Sequence, residues 1–180
     1  VKTYQNNQAI PAMAPLVGTE TTVLCLQNGI DSYQVVADAF GGDLVLPGAS
    51  YIEAEMPSPG VVKQTGDVVR IVFGELDGNE SVRGRQIQEI MTRAGISAQL
   101  STDVYTALWS KFLFISTMAG VTSLARQTLA ELMPRPEWRS VVLECLREIE
   151  AVGRASGVNF PDAIHKQTVQ YIESNLADLH

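Results

Sequence analysis

Hydrophobic and polar positions follow two different periodicities along the chain. Residues 21–26 form a short, continuous apolar run that stops at Gln27-Asn28-Gly29. Such a run is typical of a parallel strand covered on both faces, with a tight turn after it. Residues 31–40 then carry helical periodicity and end at Gly41-Gly42, a helix stop signal. A strand, a turn and a helix in this order predict an α/β sheet.

The neighbouring segments give weaker patterns. Residues 1–5 predict the end of a strand that enters a loop, and residues 6–18 predict a helix that begins near Pro11. Residues 44–73 contain short β-rich segments separated by proline and glycine. We expect these segments to be antiparallel strands joined by tight turns at the edge of the sheet.

Helices dominate the remainder of the chain. Ser81 is suited to cap a helix over residues 82–93, and a short strand is predicted at residues 96–100. No β signal remains beyond Asp103, where the apolar residues recur at helical spacing. Breaks in this helical pattern fall at Gly120, Pro134, Pro136 and residues 157–161.

The change of pattern near residue 102 predicts a domain boundary. Residues 1–102 carry the α/β pattern, and residues 103–180 carry helical periodicity alone. With 46% hydrophobic residues among 180, the chain can bury one ordinary core or two small ones. The predicted fold class is therefore α/β followed by all-α.

Charge and cysteine usage exclude several classes of partner. The formal net charge of −7 leaves no basic stripe that would neutralise nucleic-acid phosphates or bind an anionic membrane surface. Apolar runs such as residues 112–115 are far shorter than a bilayer span, so no membrane helix is expected. Cys25 and Cys145 lack the spacing of a zinc site or a disulfide framework. They predict buried free thiols and a cytoplasmic protein.

The usual catalytic signatures do not occur in these residues. There is no G-x-G-x-x-G, metal-ligand cluster or Ser-His-Asp order, and His165 and His180 are the only imidazoles. Lys111 remains, as the single lysine in the apolar segment 108–115. It either snorkels to water, which helix statistics favour, or projects into a cleft. Partial burial there would lower the lysine pKa, as a proton donor near neutral pH requires.

A second candidate follows the predicted parallel strand. Asn28 stands at the carboxyl end of that strand, the edge that faces the ligand crevice in doubly wound sheets, and its amide can donate and accept hydrogen bonds. The alternative is an Asx turn completed by a glycine with a left-handed backbone. Lys2, at the end of the first predicted strand, either faces the same crevice or is an ordinary solvated lysine.

Five short motifs match one known family in order and spacing. They are Val1-Lys2-Thr3-Tyr4-Gln5, Leu26-Gln27-Asn28-Gly29-Ile30, Pro59-Gly60-Val61-Val62, Gly74-Glu75-Leu76-Asp77-Gly78 and Leu108-Trp109-Ser110-Lys111-Phe112. Through them the chain resembles the ketopantoate reductases, also called 2-dehydropantoate 2-reductases. The resemblance implies part of a Rossmann-type NADP-binding domain at residues 1–102. It also implies part of a helical domain like that of 6-phosphogluconate dehydrogenase at residues 103–180, with the active site in the cleft between the two.

The resemblance also implies roles for individual residues. In this family the lysine at the position of Lys111 protonates the substrate carbonyl oxygen while NADPH delivers hydride to the carbon, and the ammonium stabilises the developing alkoxide. The asparagine at the position of Asn28 contacts both cofactor and substrate. The lysine at the position of Lys2 lies near the nicotinamide, and a backbone contact to the cofactor falls near Ala54. No metal is implied.

The chain departs from the family pattern beyond the lysine. Many members carry substrate-binding asparagines at the positions of Ile115 and Ala119, and a third asparagine common in the family falls near Leu129. Losing these amides removes polar contacts to the substrate, which matter strongly for discrimination. Hydroxyls that could replace them are those of Ser116, Thr117 and Thr122. The implied reaction is therefore NADPH-dependent reduction of 2-dehydropantoate, in pantothenate biosynthesis, or of a different branched 2-oxoacid.

The family's glycine-rich nucleotide loop would precede Val1, and its serine and glutamate would follow His180. We therefore expect the 180 residues to be the middle of a longer enzyme and to be inactive alone. A non-catalytic helical interaction module is the alternative. Apolar residues at helical spacing within residues 138–152 predict either intramolecular core, which is favoured, or the face of a homodimer.

Overall fold

The computed structural model describes residues 1–175, apart from the side chains of Asp67 and Val68. It divides into two compact units, Val1–Leu108 and the chain from Trp109 onward. A mixed sheet occupies the first unit, and the second consists of helices. The predicted fold class, α/β followed by all-α, is confirmed.

Four strands form the sheet, in the order β1-β2-β3-β4. Their bounds are Val23–Cys25 (β1), Val45–Ser58 (β2), Val61–Phe73 (β3) and Ser97–Leu100 (β4). The pairing of β1 with β2 is parallel, that of β2 with β3 is antiparallel, and that of β3 with β4 is parallel. The parallel strand predicted at residues 21–26 is thus confirmed as the shorter β1, and the strand predicted at 96–100 as β4.

Residues 44–73 differ from their prediction. They form one long hairpin instead of several short segments, with its turn at Gly60, whose φ is 80°. Pro57 and Gly66 do not end the strands, because the register shifts at Ile52/Ala54 and Glu55/Ser58 absorb the irregularities. The expected edge position is also wrong, since β1 and β4 flank the hairpin.

Three α-helices belong to the first unit. Their bounds are Asn6–Met13 (α1), Ser32–Phe40 (α2) and Val82–Arg93 (α3). The predictions for α2 and α3 are confirmed: α2 ends at Gly41, with φ 94°, and the Ser81 hydroxyl accepts a hydrogen bond of 3.0 Å from the Gly84 amide at the start of α3.

The start of the chain differs from its prediction. Residues 3–5 form a 3₁₀ turn instead of a strand end, closed by a 2.9 Å hydrogen bond from the Gln5 amide to the Lys2 carbonyl. Helix α1 begins at Asn6, before Pro11, which lies inside it. The preceding turn has already wound the chain, so the proline does not set the start of the helix.

An ion pair fastens α3 to the sheet. Arg83 donates to both carboxylate oxygens of Glu75, at 2.7 and 2.6 Å, and to the carbonyl oxygen of Asp43. These hydrogen bonds lower the pKa of the Glu75 carboxyl below its usual value. At Gly74 a Cβ would overlap the carbonyl oxygen of Ser101. The motif at residues 74–78 therefore has a structural role as the junction between β3, α3 and the end of β4.

The remaining helices are longer or shorter than their patterns suggested. Their bounds are Val104–Ala125 (α4), Leu129–Leu132 (α5), Pro136–Ala155 (α6) and Ile164–Ser174 (α7). Asp103 caps α4 by accepting a 3.0 Å hydrogen bond from the Thr106 amide. The break expected at Gly120 is wrong, since α4 continues to Ala125. One glycine costs only about 1 kcal/mol in a helix, too little to end this one.

Helix α4 crosses from the first unit to the second. Beyond Leu108, its buried residues recur every fourth position and pack within the second unit: Trp109, Leu113, Thr117 and Val121. A Cβ at Gly153 on α6 would overlap the ring of Phe160 and lie 3.0 Å from a ring carbon of Trp109. The absence of a side chain at Gly153 therefore allows the close packing of these rings.

Helix α6 contributes both to the core and to the surface. Val142 and Leu146 are fully buried, whereas Val141 and Val152 are 43% and 57% exposed. The apolar pattern of residues 138–152 is thus core on one side only, and a dimer face on the other side remains a prediction. Cys25 is a buried free thiol, as expected, but Cys145 is only partly buried, because it lies between these two sides.

The length of α4 also bears on the membrane prediction. Its 22 residues, with a mean hydropathy of 1.2, pass the length and composition test for a membrane span, which the short apolar runs had not suggested. The test alone is weak, because core helices of water-soluble proteins also pass it. In this structure 28% of the apolar window is buried against the rest of the protein.

Candidate functional site

A cleft opens at the carboxyl end of β1 in the first unit. Its volume is about 540 Å³, and two segments line it, one around the start of α1 and the other around the start of α2. The lining residues are Thr3, Tyr4, Asn6, Asn7, Asn28, Gly29, Asp31, Ser32 and Val35. Because most of these side chains carry amide or hydroxyl groups, the cleft offers both hydrogen-bond donors and acceptors.

The turn after β1 places Asn28 at this cleft. Gly29 has a φ of 121°, which an L side chain rarely adopts, and it turns the chain from the strand towards α2. Asn28 is exposed and lines the cleft. Ser32 begins α2 and is buried, with its hydroxyl oxygen 3.8 Å from the sulfur of Cys25. The predicted glycine turn and the exposed asparagine are therefore both present.

A pair of carboxamides joins the two segments that line the cleft. The Asn6 amide donates to Gln27 Oε1 at 3.1 Å, and Gln27 Nε2 donates back to Asn6 Oδ1 at 2.8 Å. Gln27 Nε2 also donates to the carbonyl oxygen of Val1 at 3.2 Å. Asn6 is 7% exposed, so these hydrogen bonds are partly shielded from water.

The other two cofactor candidates lie at different places in the first unit. Lys2 is exposed, and it directly precedes Thr3 of the cleft lining. Ala54 is exposed on the hairpin, paired with Gln64, and is not among the residues that line the cleft. Lys2 is thus the direct sequence neighbour of a residue that lines the cleft, whereas Ala54 lies outside the lining.

Lys111 belongs to the second unit and lies in the middle of α4. At 100° per residue, it is about 200° around the helix from Trp109, which begins the buried stripe. The side chain is nevertheless half-buried, and this burial lowers the pKa of the Lys111 ammonium below the usual lysine value. A lysine in this state is a better proton donor at neutral pH than a fully hydrated one.

The helix face that carries Lys111 continues with apolar side chains. Ile115, one turn further on, is partly buried, and Ala119 is exposed. Leu129 is completely buried in the core. None of these three side chains carries a hydrogen-bonding group, so positions 115, 119 and 129 offer no amide to a bound acid.

The three hydroxyls considered as replacements lie elsewhere. Thr117 is completely buried in the stripe that faces the core of its unit. Ser116 is about 140° around the helix from Lys111. Thr122 shares the face of Lys111 but lies about 16 Å along the axis, and its hydroxyl donates to the Met118 carbonyl at 2.8 Å. A small acid held by the Lys111 ammonium would not reach Thr122.

The next features are the histidines and the possible metal ligands in the described part of the chain. His165 lies on α7, where Nε2 is 3.4 Å from the Leu143 carbonyl oxygen. His180 lies outside the described residues. Within residues 1–175, no group of three or more His, Cys, Asp or Glu side chains is arranged to hold a metal ion.

Models of a known protein family match residues in both units. The family model "Ketopantoate reductase PanE/ApbA" matches residues 1–78, and the model of its C-terminal region matches residues 103–178. The chain belongs to the ketopantoate reductase family. The resemblance found in the five motifs is thereby confirmed. Together, the two matched regions contain the candidates Lys2, Asn28, Ala54 and Lys111.

Relatives of this ketopantoate reductase family member are distant. The uncharacterized oxidoreductase YkpB of Bacillus subtilis is 27% identical over 96% of this chain and 57% of its own length. The crystal structure of 2-dehydropantoate 2-reductase from Porphyromonas gingivalis has a TM-score of 0.88 at 25% identity, covering 97% of this chain and 60% of that one. The chain thus spans little more than half the length of these relatives.

A third neighbour shares the fold alone. The structure of D-mandelate dehydrogenase with NADH has a TM-score of 0.87 at 19% identity and covers 98% of this chain and 58% of that one. This fold therefore also occurs in a protein whose structure contains NADH and whose name indicates mandelate as its acid.

Sequence patterns missed part of the cleft. Asn6 and Asn7 fall in a segment where the helix was expected to begin only near Pro11, so neither was singled out. Gln27 belongs to a quoted motif, but its partner could not be inferred, because the contact spans 21 residues. The only available signal was the number of amide side chains at the start of the chain.

Proposed function

We propose that this protein, in its native full-length form, is a cytoplasmic NADPH-dependent reductase of a 2-oxoacid, with 2-dehydropantoate as the first candidate substrate and pantothenate biosynthesis as its pathway. The observation that carries the proposal is Lys111. The resemblance to the family implies that it corresponds to the catalytic lysine, and burial lowers its pKa. A non-catalytic interaction module, which would retain Lys111 only by descent, would show no turnover even in its full-length form.

Lys111 would act as the proton donor. Its ammonium donates a hydrogen bond to the carbonyl oxygen of the 2-oxoacid, and it transfers the proton as negative charge develops on that oxygen. Partial burial strengthens this interaction, since fewer water molecules compete for the ammonium. The same burial makes proton transfer from Lys111 easier, because it disfavours the charged ammonium relative to the neutral amine.

The cleft at the end of β1 fits the nicotinamide end of the cofactor. A nicotinamide carboxamide needs both a donor and an acceptor, and the Asn28 amide and the hydroxyls of Thr3 and Ser32 offer both at the cleft. Lys2 and the backbone near Ala54 are the further contacts that the resemblance implies. When bound, NADPH supplies the hydride, and these residues orient its ring.

The choice of NADPH over NADH rests on the resemblance to the family. A 2′-phosphate is recognised by positively charged side chains, usually arginine. The described residues of the cleft lining include no arginine or lysine. Specificity between the two nucleotides is therefore expected to lie outside this cleft, and the assay must include both.

A second substrate has a specific observation in its favour. Ile115 is the side chain one helical turn from Lys111, and Ala119 follows on the same side. No hydroxyl of α4 replaces an amide at this distance from the ammonium. A 2-oxoacid with an apolar branched side chain would pack against Ile115, whereas the hydroxyl of 2-dehydropantoate would need a polar partner from another element.

The test is turnover by the full-length protein. NADPH and NADH oxidation is followed with 2-dehydropantoate and with branched 2-oxoacids that lack the hydroxyl, for wild type, Lys111→Ala and the exposed control Lys166→Ala. We expect turnover that collapses only in Lys111→Ala. Preference for a branched acid without the hydroxyl would assign the apolar face at Ile115 to the substrate. No oxidation with any acid would overturn the proposal.

A further inference from the structure

Both donor hydrogens of the Gln27 side chain are used by hydrogen bonds within the protein. Both hydrogens of its Nε2 are used, one by Asn6 Oδ1 at 2.8 Å and the other by the Val1 carbonyl oxygen at 3.2 Å. Its Oε1 accepts from the Asn6 amide at 3.1 Å. A carboxamide engaged in this way has no donor left for a ligand. Gln27 is also absent from the residues that line the cleft, so its hydrogen bonds order the cleft walls instead of contacting a molecule bound there.

These hydrogen bonds connect segments that are far apart in sequence. Val1 and Asn6 lie on either side of Lys2 and Thr3, whereas Gln27 is the residue directly before Asn28. The contacts span 26 and 21 residues. Gln27, the residue before Asn28, is thus hydrogen-bonded at both ends of the segment that contains Lys2 and Thr3. These hydrogen bonds join the two walls of the cleft.

We propose that the Asn6–Gln27 carboxamide pair is a positioning device that holds the Lys2–Thr3 segment and Asn28 at a fixed separation for the nicotinamide end of the cofactor. This inference rests on the proposed function, because it assigns the cleft to that ligand. Neither side chain is a catalytic residue. Their effect on the reaction is exerted through Lys2, Thr3 and Asn28.

The chemistry of the pair explains why both members are amides. A glutamate at position 27 would present oxygen to two acceptors, Asn6 Oδ1 and the Val1 carbonyl oxygen. A flip of the Asn6 amide would only move the first conflict to the other carboxylate oxygen, and the main-chain carbonyl of Val1 cannot flip at all. An amide pair also holds the two walls together without adding a charge beside a cofactor whose ring changes charge during the reaction.

The experiment compares Gln27→Glu, Gln27→Met, Asn6→Leu and the double variant Asn6→Leu/Gln27→Met in the full-length protein. Gln8→Glu, an exposed change two residues from Asn6 in the same helix, reproduces the added charge of Gln27→Glu. The readouts are the Kd for NADPH, the KM and kcat for the 2-oxoacid, and the thermal midpoint. We expect each single variant to weaken NADPH binding roughly ten-fold and to lower kcat, since small misplacements of positioning groups are costly.

The double variant tests the coupling. Each single change breaks the same pair. The fold-loss in NADPH affinity and in kcat should therefore be about the same in the double variant as in either single variant, and should not equal the product of the two single fold-losses. A purely structural role would lower the thermal midpoint or the yield, while the protein that remains folded would bind NADPH with wild-type Kd. That outcome, or full additivity of the two changes, would overturn the proposal.

Failure of the proposed function is separable from failure of the pair. Hydrogen exchange of the backbone amides at residues 2–7 and 28–30 is measured for wild type and Gln27→Met, without substrate. A concerted rise in both segments would show that the pair joins them. If wild type then neither binds nor oxidises a nicotinamide nucleotide, the assignment of the cleft is overturned. No change in exchange would overturn the pair itself.

Discussion

In the first unit the candidates Lys2 and Asn28 are exposed and lie outside the helices and strands, whereas the candidate lysine of the second unit is half-buried in a long helix. Asn28 owes its place to the turn at Gly29 and to hydrogen bonds of the preceding Gln27. Lys111 owes its place to the packing of α4, whose buried stripe begins at Trp109.

The difference separates two ways of preparing a side chain for chemistry. Hydrogen-bonded loops fix direction and spacing while leaving the side chain hydrated, which suits the binding of a polar ligand. Burial in a helix changes the protonation equilibrium of the side chain, which suits proton transfer. Substitutions in the first unit should therefore act mainly on binding and folding, and substitutions at Lys111 on the chemical step.

The largest effect is expected for Lys111→Arg. Arginine keeps the positive charge but does not release its proton at accessible pH, so kcat should fall about 10²- to 10⁴-fold. In wild type the donor must be protonated, so activity is lost as pH rises through the Lys111 pKa. Because burial lowers this pKa, the alkaline limb should lie below the usual lysine value. The measurement is kcat against pH, with Lys166→Arg as the control. If the alkaline limb of the kcat profile persists unchanged in Lys111→Arg, the limb reports the titration of another group.

Next is Gly74→Ala in the first unit. The new Cβ would overlap the carbonyl oxygen of Ser101, and main chain moves less readily than a side chain. We expect a loss of about 3 kcal/mol in the free energy of unfolding, measured by urea denaturation. Gly42→Ala is the matched control, since a Cβ there would have no neighbour within 4 Å. Equal effects of the two changes would argue against the tight junction at residues 74–78.

Sequence patterns predicted the parts of each unit that depend on local signals. The helix over residues 82–93 was predicted with its bounds, because Ser81 and Gly95 are strong local start and stop signals. The hairpin of residues 45–73 was divided wrongly, because its irregularities are absorbed by pairing between distant residues. The lysine of the site stood out as a charge in an apolar segment.

The remainder of the site could not be predicted for the same reason. Asn6 and Gln27 are separated by 21 residues, and nothing in either local pattern indicates their contact. Gly120 shows a different error, since one glycine weakens a helix by only about 1 kcal/mol and α4 continues past it to Ala125. Local chemistry therefore nominated candidate residues, and tertiary contacts decided where their polar partners lie.

Gly153→Ala tests the packing of the second unit. Its Cβ would overlap the ring of Phe160 and approach the ring of Trp109. Rings shift more easily than main chain, so we expect a smaller loss than for Gly74→Ala, about 2 kcal/mol by urea denaturation. Phe160→Leu should partly restore stability in the Gly153→Ala background, because it removes the overlapping ring carbons. Without such a recovery, the cost would not come from this contact.

Glu75→Gln tests the ion pair of the first unit. The hydrogen bonds from Arg83 lower the Glu75 pKa in the folded state, so their stabilisation is present above the unfolded pKa, about 4.3, and is lost as pH falls through the folded value. We expect Glu75→Gln to cost about 1.5 kcal/mol near pH 7 and progressively less in acid. Urea denaturation between about pH 3 and 7 measures this, with the exposed Glu89→Gln as the control. A cost independent of pH would exclude the ion pair as its source.

The smallest effect, and the only gain, is expected for Gly120→Ala on α4. Gly120 is exposed, and a Cβ there would meet no atom within 4 Å. Alanine restricts the unfolded chain more than glycine and favours the helix by about 1 kcal/mol. The thermal midpoint should therefore rise in Gly120→Ala, in contrast to its fall in Gly153→Ala, although both glycines lie within helices of the same unit. A fall in both variants would mean that the surface at Gly120 is covered in the native protein, and that the helix is fixed by contacts on that side as well.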